Sequence, residues 1–145
     1  MNEAEFLALD QQDQNGTLLK MARNALAVLS DYPTAMAAAD KSLQLVQRFL
    51  NGEDLTATEI CQFLDDEDMG VGLGLQIYNV EDDPLAIAAI DLACYATGAA
   101  SKAAFEQQDL AAEMPAPVSE AVPEVVVDGI KQYRILQVKG LVPEI

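Results

Sequence analysis

Histidine and tryptophan are both absent from the 145 residues, aromatics make up 6%, and only two cysteines occur. Each absence removes a class of chemistry. Without histidine there is no imidazole general base, and neither a Ser–His nor a Cys–His nucleophile pair can form. Cys61 and Cys94, 33 positions apart and with no histidine beside them, do not make a normal structural zinc site. Both fall on apolar sides of helical patterns, which predicts buried thiols, with one disulfide between helices as the alternative. The scarcity of aromatics, set against 51% hydrophobic residues with many alanines, favours closely packed helices over a sandwich of strands.

Positive charge is the other scarcity. Eight lysines and arginines face 24 acids, a net charge of −16. Such a chain repels nucleic acid, whose phosphates need cations to meet them, and it repels anionic membrane surfaces. Its field attracts basic proteins, although the same charge also serves plain solubility. No uninterrupted apolar run approaches the roughly 18 residues of a membrane span. The opening MNEAEF lacks the basic region and apolar run of an export signal, so a cytoplasmic location is expected.

What is present reads as one all-α domain over residues 1–145, a bundle or array of about five to seven helices. The first 15 residues form either a brief helix around Phe6, Leu7 and Leu9 or a loose arm. Thr17 is placed to cap a helix running to about Leu29, with Leu19, Ala22, Leu26 and Leu29 stepping by three and four. Pro33 opens the next helix, striped by Met36, Ala39, Leu43, Val46 and Leu50 and stopped at Asn51-Gly52. Thr56 with Glu59 forms a capping box for a third helix, expected to end by Gly70. Residues 69–80 read as a loop with a short extended piece. Asp83 and Pro84 start an alanine-rich fourth helix, residues 114–117 connect, and a last helix begins near Ser119. Val125-Val126-Val127 reads alternatively as strand, but the three-and-four spacing continues beyond it to Leu136.

Three motif-like strings carry no chemistry. Gly70-Val71-Gly72-Leu73-Gly74 is neither a dinucleotide fingerprint nor a phosphate loop, because the GxGxxG spacing and the GK[ST] are both missing. Asp65 to Gly70 starts like a calcium loop, yet its fifth position is Met69 and its twelfth is Gln76, where a ligand and a bidentate glutamate are required. The paired carboxylates lack the aromatic platform expected of a glycosidase. The residues therefore point to no catalytic group, no metal site and no cofactor.

The distribution of charge is more informative. From Arg48 to Lys102 no cation occurs, while the interval holds Glu53, Asp54, Glu59, Asp65, Asp66, Glu67, Asp68, Glu81, Asp82, Asp83 and Asp91. Solvated helix faces ordinarily mix signs and gain pairings. Here two acidic runs, 65–68 and 81–83, bracket a segment bearing Met69, Leu73, Leu75, Ile77 and Tyr78. An apolar centre inside an acidic rim is the anatomy of an interface for a basic protein. The competing reading makes Leu75 and Ile77 core, leaves the acids simply solvated, and makes Asp83 a helix cap. The predicted partner-binding residues are Asp65, Asp66, Glu67, Asp68, Tyr78, Glu81 and Asp82.

The central stretch CQFLDDEDMGVGLGLQIYNVEDDP, followed by AIAAIDLACYATGAA, together with the length, acidity and lack of histidine, resembles the all-helical immunity proteins that bacteria carry beside polymorphic toxins, including contact-dependent growth inhibition systems. The resemblance implies a cytoplasmic monomer that binds one cognate basic toxin domain, commonly a nuclease, and blocks it. It carries over no individual site residue. A small acidic chaperone for a secreted effector is the alternative, and it would ordinarily bring a β-sheet.

Overall fold

A computed structural model of the chain describes residues 1–64, 72–108, 118 and 123–145. Among them are seven α-helices: α1 (Glu3–Leu7), α2 (Gln11–Ala25), α3 (Pro33–Leu50), α4 (Ala57–Ile60), α5 (Pro84–Gln107), α6 (Pro123–Val126) and α7 (Asp128–Val138). Two 3-10 segments, Leu26–Leu29 and Leu73–Asn79, complete the described helical structure, and no strand occurs among the described residues. The all-α expectation holds.

Local chemistry accounts for most boundaries. Asn2 caps α1 by accepting from the Glu5 N–H at 2.8 Å. This first element is no loose arm: Phe6 is buried, and Arg134 donates to both carboxylate oxygens of Glu3 at 3.3 and 3.1 Å. The second helix starts earlier than the Thr17 cap predicted. Asp10 accepts from the Asp13 N–H at 2.8 Å, so the polar run after it becomes the first turns of α2. The stop of α3 is as expected. Gly52 takes φ +95°, its N–H reaches the Phe49 carbonyl, and the Glu53 N–H reaches that of Arg48, the paired bonds of a Schellman ending. The Thr56–Glu59 capping box forms reciprocally, but α4 lasts only four residues. The last predicted helix is divided at Val127, where three successive β-branched residues are poor helix formers.

The core is organised around α5, which packs against α2, α3, α4 and α7 and against both 3-10 segments. It can meet so many neighbours because its surface is small on every side. Ala88, Ala89, Ala93, Ala96, Ala100 and Gly98 are buried together with Ile90 and Leu92. By length and composition α5 is apolar enough to cross a membrane, but 61% of its most apolar window is buried inside the fold, and a core helix passes the same test. The predicted stripes are inward at Leu19, Ala22, Leu29, Ala39, Leu43 and Val46, while Leu26, Met36 and Leu50 are only half-buried. Cys61 is buried and Cys94 half-buried, both as thiols.

One α5 residue conflicts with its surroundings. Asp91 is half-buried beside Tyr95, and burial pushes its carboxyl above the ordinary carboxylate value. Its sign follows directly. A carboxyl whose pKa is raised on folding binds its proton more tightly in the native state, so stability falls as pH rises from the unfolded pKa through the folded one. Asp91→Asn is therefore expected to raise the melting temperature by a few degrees at pH 7. At about pH 3, below the ordinary Asp pKa of about 3.9, it should leave the melting temperature unchanged. Thermal melts at the two pH values check this, and a lower midpoint for the variant at pH 7 would contradict it.

Candidate partner-binding site

The described part of the predicted site is built on the 3-10 segment Leu73–Asn79 and the turn that follows it. A 3-10 helix has three residues per turn, so positions three apart share a face. Leu73 and Gln76 point inward and are buried, whereas Leu75 and Tyr78 share the outer face, 37% and 73% exposed. The expected extended piece is thus replaced by a helical turn, and Leu73 belongs to the core rather than to the surface. Ile77 is half-buried, in between.

Backbone bonds fix this segment to the bundle. The Leu73 N–H donates to the Phe63 carbonyl at 2.8 Å and the Gly74 N–H to that of Leu64 at 3.1 Å. Asn79 donates its side-chain amide to Gln76 Oε1 at 3.0 Å, and buried Val80 closes the element. Tyr78 therefore stands out from a well-anchored turn. Glu81 and Asp82 come directly after Val80, both exposed, with no ion pair to either among the described residues.

Asp83 plays a different part. Its Oδ1 accepts from the N–H groups of Leu85 and Ala86, each at 3.2 Å, and its Oδ2 accepts from the Tyr32 hydroxyl at 2.8 Å. The Tyr32 hydroxyl, with the Ala86 and Leu85 N–H groups, holds its carboxyl below the ordinary value. The same hydrogen bond, together with burial and the charges of Asp83, Asp31 and Asp82, pushes the Tyr32 phenol up. Asp83 is a helix cap, as the competing reading of the sequence had it, and also a tie between α3 and α5.

That tie brings in residues the sequence reading missed. Tyr32 and Asp31 precede Pro33 at the start of α3, as Asp82 and Asp83 precede Pro84 at the start of α5. The repeated acid-to-proline helix start was the available signal, and the Tyr32–Asp83 bond shows that the two starts lie side by side. Negative charge near the positive ends of two helices is electrostatically favoured, which offsets part of the repulsion within the cluster. Asp65, Asp66, Glu67, Asp68 and Met69 lie outside the described residues. Elsewhere in the cation-poor interval, Glu53 is paired by Arg48, whose Nε donates to Oε2 at 2.8 Å.

No group of three or more acidic or cysteine side chains suited to a metal ion is found among the described residues. The sequence model of the family described as Immunity protein Imm6 matches residues 13–135, most of the chain and all of the described site. No curated protein and no solved structure matches it.

Proposed function

This chain belongs to the Imm6 family of immunity proteins, and we propose that the toxin it binds is a basic domain, a nuclease, met by an acidic edge around Tyr78. The observation that carries the proposal is the exposed Tyr78 ring, held on an anchored 3-10 turn that leads into the exposed carboxylates of Glu81 and Asp82, which have no ion pair among the described residues. A nuclease cleft collects cations to hold phosphates, so a surface that presents carboxylates in their place competes with the substrate. Asp31 extends the edge from the start of α3, and the sequence adds Asp65, Asp66, Glu67 and Asp68. The encounter takes place in the cytoplasm of the protected cell, one immunity protein to one toxin domain.

Steering by exposed charge acts on the rate of association and is screened by salt. The double variant Glu81→Lys with Asp82→Lys is expected to slow association with the cognate toxin domain at low salt about tenfold or more, and to flatten the salt dependence. Asp66→Lys with Asp68→Lys is expected to act in the same direction. Stopped-flow mixing over a range of salt concentrations measures both. Rates and salt slopes equal to those of the parent protein in both variants would place the interface elsewhere.

A further inference from the structure

An open cleft of about 440 Å³ lies where α2 begins and where α3 and α5 end. About 20 residues of α5 separate it from Tyr78's end of the bundle, roughly 30 Å at 1.5 Å per residue. Phe49 and Ala104 supply apolar wall. Asn15 lines the cleft although it is only 3% exposed, and among the described residues no hydrogen bond engages its side-chain amide. What remains accessible of this residue faces the cleft, so its amide is free to donate to and accept from whatever enters there.

The surroundings say what it would meet. Gln12 and Gln107 are exposed on either side, and Asp54 adds a carboxylate with no ion pair among the described residues. Neighbouring Glu53, by contrast, is already held by Arg48. No lysine or arginine lines the cleft. Amides both donate and accept, which matches a peptide backbone, and a lone carboxylate matches an ammonium or guanidinium group. Small-molecule pockets are mostly apolar and enclosed, and this cleft is polar and open.

We propose that this cleft is a second toxin contact, taking an extended segment of the partner that carries a lysine or arginine toward Asp54. The inference rests on the chain's binding a toxin and is independent of the acidic edge at the other end.

The test uses the full chain and the catalytically inactivated cognate toxin domain. Gln12→Trp and Gln107→Trp, both at exposed positions, fill the mouth of the cleft, and Asp54→Lys reverses its charge. Calorimetric titration is expected to show tenfold or weaker binding for each tryptophan variant and at least fivefold for Asp54→Lys, with unchanged melting temperatures. Hydrogen exchange on the unsubstituted protein is expected to slow across residues 52–56 when the toxin is added, a readout that needs no variant. Unchanged affinity in all three variants, or no added protection at 52–56, overturns the proposal. So does full protection there before toxin is added, which would mean that the chain fills its own cleft. Loss of steering in the Glu81 and Asp82 variants, with the cleft variants silent, would leave the edge standing and remove the cleft.

Discussion

Replacing Tyr78 by alanine is expected to weaken toxin binding about thirtyfold or more, the equivalent of roughly 2 kcal/mol, the threshold of an interface hot spot. The ring is 73% exposed on the outer face of its 3-10 turn, so it gains little from the fold of the free protein. Covered by a partner, it would lose that exposure at the cost of only two side-chain torsions. Its neighbours divide the work. Leu75 on the same face widens the apolar centre, while Glu81 and Asp82 supply the charge. Because the turn is held by Leu73, Gln76 and the bonds to Phe63 and Leu64, removing the ring should not disturb it. A melting temperature within about 2 °C of the parent is expected, as for most surface substitutions. Tyr78→Phe separates the ring from its hydroxyl: near-parent affinity would assign the effect to buried apolar area. Calorimetry with the cognate toxin domain makes the measurement, and an alanine variant that binds as tightly as the parent would remove Tyr78 from the interface.

Leu92→Ala is expected to have the largest effect on stability, a loss of about 2–5 kcal/mol. Leu92 is fully buried at the middle of α5, and its Cδ2 lies 3.7 Å from the point where a side chain on Gly129 would begin. That places it in the seam between α5 and α7, where Leu18 Cδ2 lies 3.0 Å from the same point. The surrounding helices are tied to α5 along its length and cannot close on the vacated volume, so the cost includes a cavity as well as lost transfer energy. Against a total of about 5–15 kcal/mol, this is a large fraction. Denaturant titration should show a lowered midpoint with an unchanged slope. Added toxin should recover part of the loss, because it binds only the folded chain. A stability loss below about 0.5 kcal/mol would mean that the α5–α7 seam repacks freely, contrary to a densely packed core.

The two expectations draw on different layers of information. Leu92 was legible from spacing alone, as one of the inward positions of an alanine-rich helix that starts at Asp83-Pro84. The reciprocal box at Thr56 and Glu59 and the stop at Gly52 were legible in the same way, because each depends on contacts within one turn. Tyr78 was legible as a candidate, but the turn that holds it out was not. Period three rather than period two governs residues 73–79, and that sends Leu73 inward and Leu75 outward. The early start of α2 was missed because Asp10 and Thr17 are both good caps by type, and only the chain's packing selects between them. Asn15 carried no signal, since an asparagine in a polar run looks solvated until the ends of α3 and α5 close over it.

The chain's own letters determined the helical class, several of its caps and stops, the lack of any imidazole and the long interval without a cation. These follow from the preferences of each residue and its neighbours three or four places away. Tertiary structure decided which carboxylates meet. It ties Asp83 to Tyr32 across 51 positions of sequence and brings the charges of Asp31 and Asp82 to bear on the same phenol, and it leaves Tyr78 outside while Gln76 goes in. The physical reason is that such pairings depend on how α5, small on every side, gathers α2, α3 and α7 around itself, and close approach between distant segments is not encoded in any local spacing.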